Sequence, residues 1–212
     1  MKRRTAVEPP AGPARLPQRK AAVLAGSDFD ASPGYFREEF LDGTGQVDAT
    51  GKPPTRFRLV ISPPEAKAVL LFAEAVTLLG GELLVLLKET NGDADRGHPS
   101  KGRRYFGQGV PAEALVRALE LKHDWLAEDG HHQLMARRAG TNDYVVLDDH
   151  GLLFVYSRDR RFEDWLRSHG IPKRQPWVKT DVDHLHCLTE DHDFQIRSFA
   201  RGLGLVQLTD DP

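Results

Sequence analysis

The spacing of apolar and polar residues changes several times along the chain, and each change marks an element. Over 56–61, Phe57, Leu59 and Ile61 alternate with partly polar neighbours, as in a half-buried strand. Ser62-Pro63-Pro64-Glu65 then offers an N-cap serine, a proline for the first turn and a following glutamate, the combination that opens a helix. That helix sets Val69, Phe72, Ala73, Val76 and Leu79 on one stripe, while Leu70, Leu71 and Leu78 fall elsewhere, so burial on most sides is predicted until Gly80-Gly81 ends it. Residues 83–87 are uninterruptedly apolar and predict an inner strand covered on both faces.

Residues 91–110 are rich in glycine and charge and predict a long loop, after which Pro111-Ala112-Glu113 starts a second helix with Leu115, Ala118, Leu119 and Leu126 inward. Glu113 and Arg117 pair on its outer side. Strands are predicted over 132–138, 144–148 and 152–156, the last two joined at Asp149-His150-Gly151 as a hairpin. A helix over 160–169 carries Phe162, Trp165 and Leu166 and stops at Gly170 before Pro172. A strand over 183–188, a last helix with Ile196, Phe199, Ala200 and Leu203 inward, and a short strand over 205–208 complete the series. No internal repeat emerges. The order predicts an α+β fold, a mixed and partly antiparallel sheet covered by three main helices.

Upstream, 21–54 is rich in Gly, Asp, Ser and Pro and predicts an irregular segment with at most a short helix near Tyr35–Phe40. Residues 1–20 hold Lys2, Arg3, Arg4, Arg15, Arg19 and Lys20 against Glu8 alone, among several prolines, which describes a disordered basic tail. The expected organisation is therefore a tail over 1–20, an irregular segment over 21–54 and one α+β domain over 55–212. With 40% apolar and 28% charged residues the chain of 212 lies in the globular range, so fibrous and wholly disordered classes drop out. Because the net charge is −2 while the tail is basic, the remainder is acidic, and dispersed cations without an aromatic partner make nucleic acid an unlikely ligand. A single cysteine, Cys187, forms no internal disulfide; with no signal-peptide pattern and no apolar run of spanning length, a cytoplasmic protein with no membrane segment is expected.

Candidate chemistry is sparse. His184 and His186 lie two apart, which on a strand puts both rings on one face, where they can share a divalent transition metal with Asp183 or Asp149 completing the set. This pattern suits a metal-dependent hydrolase or phosphodiesterase and is the alternative reading, with the metal as its only cofactor. Glu190, Asp191 and Asp193 fit the first turn of the last helix after a Thr189 cap. Cys187, beside the histidines in an apolar-polar strand, reads as an inert strand cysteine. The leading expectation is a non-enzymatic, cofactor-free protein-binding module that uses Arg103, Arg104 and Tyr105 in the long loop and Asp148, Asp149 and His150 at the hairpin tip. Bacterial immunity proteins, which neutralise toxins by such binding, are similar in size and in carrying no catalytic motif; the likeness is one of class and rests on no diagnostic motif.

Overall fold

The computed structural model describes residues 21–23, 32–41, 55–90, 102–176 and 184–209, with the backbone alone at 21–23, 40–41, 55, 65 and 184–186. The tail over 1–20, Asp183 and most of the long loop lie outside these residues. Ten strands and five α-helices are described: β1 (Ala21–Val23), β2 (Gly34–Leu41), β3 (Thr55–Ser62), α1 (Ala68–Leu79), β4 (Glu82–Glu89), β5 (Arg104–Pro111), α2 (Ala112–Leu121), α3 (His123–Glu128), β6 (His132–Arg138), β7 (Tyr144–Leu147), β8 (Leu153–Ser157), α4 (Arg161–Ser168), β9 (His184–His186), α5 (His192–Gly202) and β10 (Val206–Leu208).

Eight strands form one sheet in the order β10-β5-β4-β6-β7-β8-β3-β2, and β1 pairs separately with β9. Every named pairing is antiparallel. The fold is α+β as expected, but the sheet dominates it, it is antiparallel rather than mixed, and five described helices replace the predicted three.

Side chains alternate between the two faces of such a sheet. The odd-numbered residues of the central strands point to one side: Leu83, Val85 and Leu87 of β4, Val145 and Leu147 of β7, Leu153 and Val155 of β8, and Phe57, Leu59 and Ile61 of β3 are all buried. In β6 the same side is taken by Leu134 and Ala136. This odd face and the apolar sides of all five helices form one core, in which Phe72 of α1, Leu115 of α2, Leu126 of α3, Phe162 of α4 and Ile196 of α5 are wholly covered. Fully burying such a side chain contributes roughly 1.5–3 kcal/mol each. Polar contacts fix the helices laterally: the Trp165 indole N–H donates to Glu74 of α1 at 2.8 Å, and Nε2 of His169 lies 2.6 Å from the same carboxylate.

Several local expectations are corrected. Ser62 is the last residue of β3 and caps no helix; Glu65–Lys67 form a 3-10 turn before α1. The predicted second helix is broken at Lys122, so Leu126 belongs to a separate helix α3. Gly34–Leu41 is an eight-residue edge strand paired along its whole length with β3, where at most a short helix was predicted. Arg104–Pro111 is a strand rather than loop, and β4 is covered on one face only.

Candidate functional site

Three places concentrate chemistry: a cluster at an end of the sheet, the β7–β8 turn, and the sheet's second face. At the end, Asp129 closes the turn between α3 and β6, and its side chain is wholly buried. Its carboxylate accepts the His131 backbone N–H at 2.8 Å, the Thr189 hydroxyl at 2.8 Å and the Thr189 backbone N–H at 3.2 Å, and lies 2.9 Å from His192 Nδ1 and 3.4 Å from His132 Nδ1. The other nitrogen of His192 lies 3.1 Å from Glu89. Glu89 in turn accepts from Arg103 through both oxygens, at 2.7 and 2.8 Å, and Arg103 also pairs with Asp193. Trp125 stacks on His132 at 4.6 Å, which closes the apolar side.

The electrostatics follow from this geometry. Burial opposes a charged imidazole at His192, but hydrogen bonds to Asp129 and Glu89 and the charge on both outweigh it and raise its pKa to about 9. Burial likewise opposes ionisation of Asp129, and the two histidines and the backbone N–H of His131 overcome it, so its pKa is far below the usual carboxylate range. Glu89 is lowered in the same way by Arg103 and His192. At neutral pH the ring of His192 is an imidazolium that donates to a carboxylate on either side. The cluster ties the ends of β4, β5 and β6 to α5 and reads as a clamp. Thr189 belongs to it: its hydroxyl goes to Asp129 and not to the first turn of α5, whose cap position is taken by Asp191 without a capping bond to the backbone.

Asp148, Asp149 and His150 sit together in the β7–β8 turn, with ligand atoms within 4.8 Å of one another. Asp148 uses one oxygen to accept the backbone N–H groups of His150 at 3.0 Å and Leu152 at 2.7 Å. Burial opposes the charged ring of His150, yet the two aspartates raise its pKa to about 9, so here too the imidazole carries a proton at neutral pH. The groups hold the turn, with Asp148 buried and Asp149 and His150 half-buried.

The residues singled out in the sequence are distributed as follows. Arg103 is held in the clamp, Tyr105 is buried at 5% exposure on the odd face, and Arg104 stands exposed on the other face. Tyr105 shares a row with Leu87, Leu134 and Leu147, so the hairpin tip is at the same end of the sheet but three strands away, about 14 Å at the usual strand spacing. The two sets do not make one patch. His184 and His186 pair with Val23 and Ala21 through their backbones, and their side chains, with Asp183, fall outside the described residues.

The even face was not anticipated. The strand register places Phe36, Val60, Phe154, Val146, Met135, Leu86, Phe106 and Val206 side by side, one from each of the eight strands, in a single unbroken row. None of these eight belongs to the core under the helices; Val60 is covered, Val206 is exposed and the other six are half-buried. On one side of the row stand Arg58, Tyr156, Tyr144 and Arg137, and on the other Gln133, Lys88 and Arg104. A cavity of about 300 Å³ lies over the centre, lined by Leu86, Met135, Val146 and Phe154 together with Arg58 and Lys88. The Tyr144 and Tyr156 rings stack on each other at 4.2 Å and 14°, and Arg58 pairs with Glu38.

No protein-family model matches the chain, and no curated protein or solved structure is significantly similar to it. Among the described residues no helix is long and apolar enough to cross a membrane.

Proposed function

We propose that the protein is a non-enzymatic protein-binding module that seats its partner on the even face of the sheet. A toxin-neutralising immunity protein is one form that such a module takes. The observation that carries this reading is the eight-residue apolar row from Phe36 to Val206, which lies outside the helix-covered core. Contiguous apolar surface rimmed by polar groups marks interaction sites on soluble proteins. Aromatics, methionine and arginine, as found here in Phe154, Tyr144, Tyr156, Met135 and Arg58, are the types enriched where proteins meet. Of the residues proposed from the sequence, Arg104 belongs to this surface, while Asp148, Asp149 and His150 border it at the hairpin tip.

The test is capture from a lysate of the protein's own cell by the full chain and by Met135→Glu, with thermal unfolding of both. Met135 is half-buried at the centre of the row, so the charge is expected to abolish retention of the partner with little change in Tm. Equal retention of the same proteins by both chains would remove the even face from the interface. The alternative metal-hydrolase reading uses His184 and His186 with Asp183 or Asp149; of these side chains only Asp149 lies among the described residues, grouped with Asp148 and His150.

A further inference from the structure

Resting on that reading, we infer that the even face receives an acidic amphipathic helix of the partner protein. The first argument is shape. Same-face residues two apart along a strand are separated by about 6.8 Å, so the apolar row is a stripe with its shoulders about 7 Å to either side, and an α-helix with side chains is about 10–12 Å across. Sheet twist of about 20–25° per strand prevents a straight helix from following all eight strands. The cavity limits the seat to the central strands, where Leu86, Met135, Val146 and Phe154 line it. Four strands span about 14–19 Å, which matches some ten to thirteen residues of helix.

The second argument is charge. Lys88 and Arg104 stand on one shoulder and Arg58 and Arg137 on the other, against the carboxylates of Glu38, already paired with Arg58, and of Glu82 at the rim. Arg137 donates to two neutral groups, the Thr141 carbonyl at 2.9 Å and the Asn142 side-chain oxygen at 2.8 Å, neither of which offsets its charge. The next acid along β7, Asp148, turns its carboxylate to backbone N–H groups of the hairpin. An apolar stripe with cations on both shoulders is complementary to a helix whose apolar stripe is flanked by Asp and Glu.

The same features weigh against other occupants. A second copy would bring cations onto cations. A single-stranded nucleic acid needs a basic track with ring faces on which bases stack; here Tyr144 and Tyr156 each give one face to the other, and Arg58 is already paired with Glu38.

The experiment uses the full chain and three synthetic helical peptides of four turns with one apolar stripe and acidic, neutral or basic shoulders, measured by fluorescence anisotropy at 50 and 500 mM salt. The acidic peptide is expected to bind at least tenfold more tightly than the basic one at low salt and to lose that margin at high salt. Lys88→Glu, on an exposed side chain, is expected to cut the acidic peptide's affinity at least fivefold and leave the unfolding temperature in place. Equal binding of acidic and basic peptides overturns the inference, as does tighter binding of a 20-nucleotide single strand or a dimer in sedimentation that Met135→Glu dissolves. If the peptides show no charge preference while Met135→Glu still abolishes capture of the cellular partner, the helix is wrong and the interface stands. If capture survives Met135→Glu, the interface itself is misplaced.

Discussion

The two faces of the large sheet are built from the same strands, yet they differ in what covers them. In β4, Leu83, Val85 and Leu87 have no exposure, whereas Leu84 and Leu86 between them are half-buried and Lys88 is exposed. The odd face is closed by five helices and carries the cohesion of the fold. The even face is also apolar along its central row, but its rings and methyls pack sideways on each other and not under a helix. Apolar area kept at the surface contributes little to folding, so its presence is better accounted for by what binds there. The sharpest way to break this comparison is to remove one large ring from each face. Phe72→Ala, in the covered core, is expected to cost about 3–5 kcal/mol of unfolding free energy, and Phe154→Ala about 1 kcal/mol or less. Urea unfolding of both variants decides it, and equal losses would mean that the even face is as much a core as the odd one.

The residue pattern predicts one face far better than the other, for physical reasons. Period-two alternation locates β3, β6, β7 and β8, and the apolar stripes locate α1, α4 and α5, because helix-side burial is what sets those periods. β5 is hidden by its glycines. At Gly107 a Cβ would stand 2.6 Å from Leu205 Cδ2, and Gly109 has φ +68° in a bulge opposite Leu83 and Val85, so both glycines serve a strand whose composition resembles a loop. β2 is hidden differently: Arg37, Glu38 and Glu39 interrupt its apolar residues, and besides the local Arg37–Glu39 pair their charges are matched across strands and helices, Arg37 with Glu163 and Glu38 with Arg58. The even-face row was out of reach because it depends on the register of eight strands, which no local spacing specifies. The clamp illustrates the same limit. Arg103 attracts notice in the sequence, but Glu89, which fixes its state, is 14 residues away, and Asp129 is 63 residues from the His192 that it holds.

The faces also differ in how they treat charge. On the even face Lys88 and Arg104 stand exposed, while at the end of the odd face Asp129 and His192 are buried and depend on each other. Asp129→Ala strands the His192 imidazolium with Glu89 alone and leaves the Thr189 and His131 donors without their acceptor. Breaking a buried pair from one side costs about 3–5 kcal/mol, so this variant is expected to unfold at markedly lower urea, whereas Lys88→Ala stays within about 0.5 kcal/mol of the parent. Comparable stability of the two variants would show that the clamp is better hydrated than its burial implies.

The clamp further predicts that the stability of the protein depends on pH through the covered side of the molecule. His192 and His150 both have folded-state pKa values of about 9, above the ordinary 6.5 of an unfolded histidine. A raised pKa means that the folded protein holds a proton the unfolded chain has released. That contribution is complete below about pH 6.5 and is lost as the pH rises through 9. Asp129 and Glu89 are lowered, so their contribution has the opposite sense: it is present above the unfolded carboxylate range, about pH 4 to 4.5, and is lost in acid. Stability is therefore expected to be greatest between about pH 4.5 and 6.5 and to fall by about 2–3 kcal/mol for His192 alone between pH 6.5 and 9. Urea midpoints measured at half-unit intervals from pH 5.5 to 9.5 read this slope directly. In His192→Asn, which keeps a hydrogen-bonding side chain but cannot titrate, the slope is expected to be roughly halved, with His150 supplying the remainder. A parent protein whose midpoint is flat across this range would mean that neither histidine holds its proton between its carboxylates. An unchanged slope in His192→Asn would instead place the whole dependence at the hairpin tip.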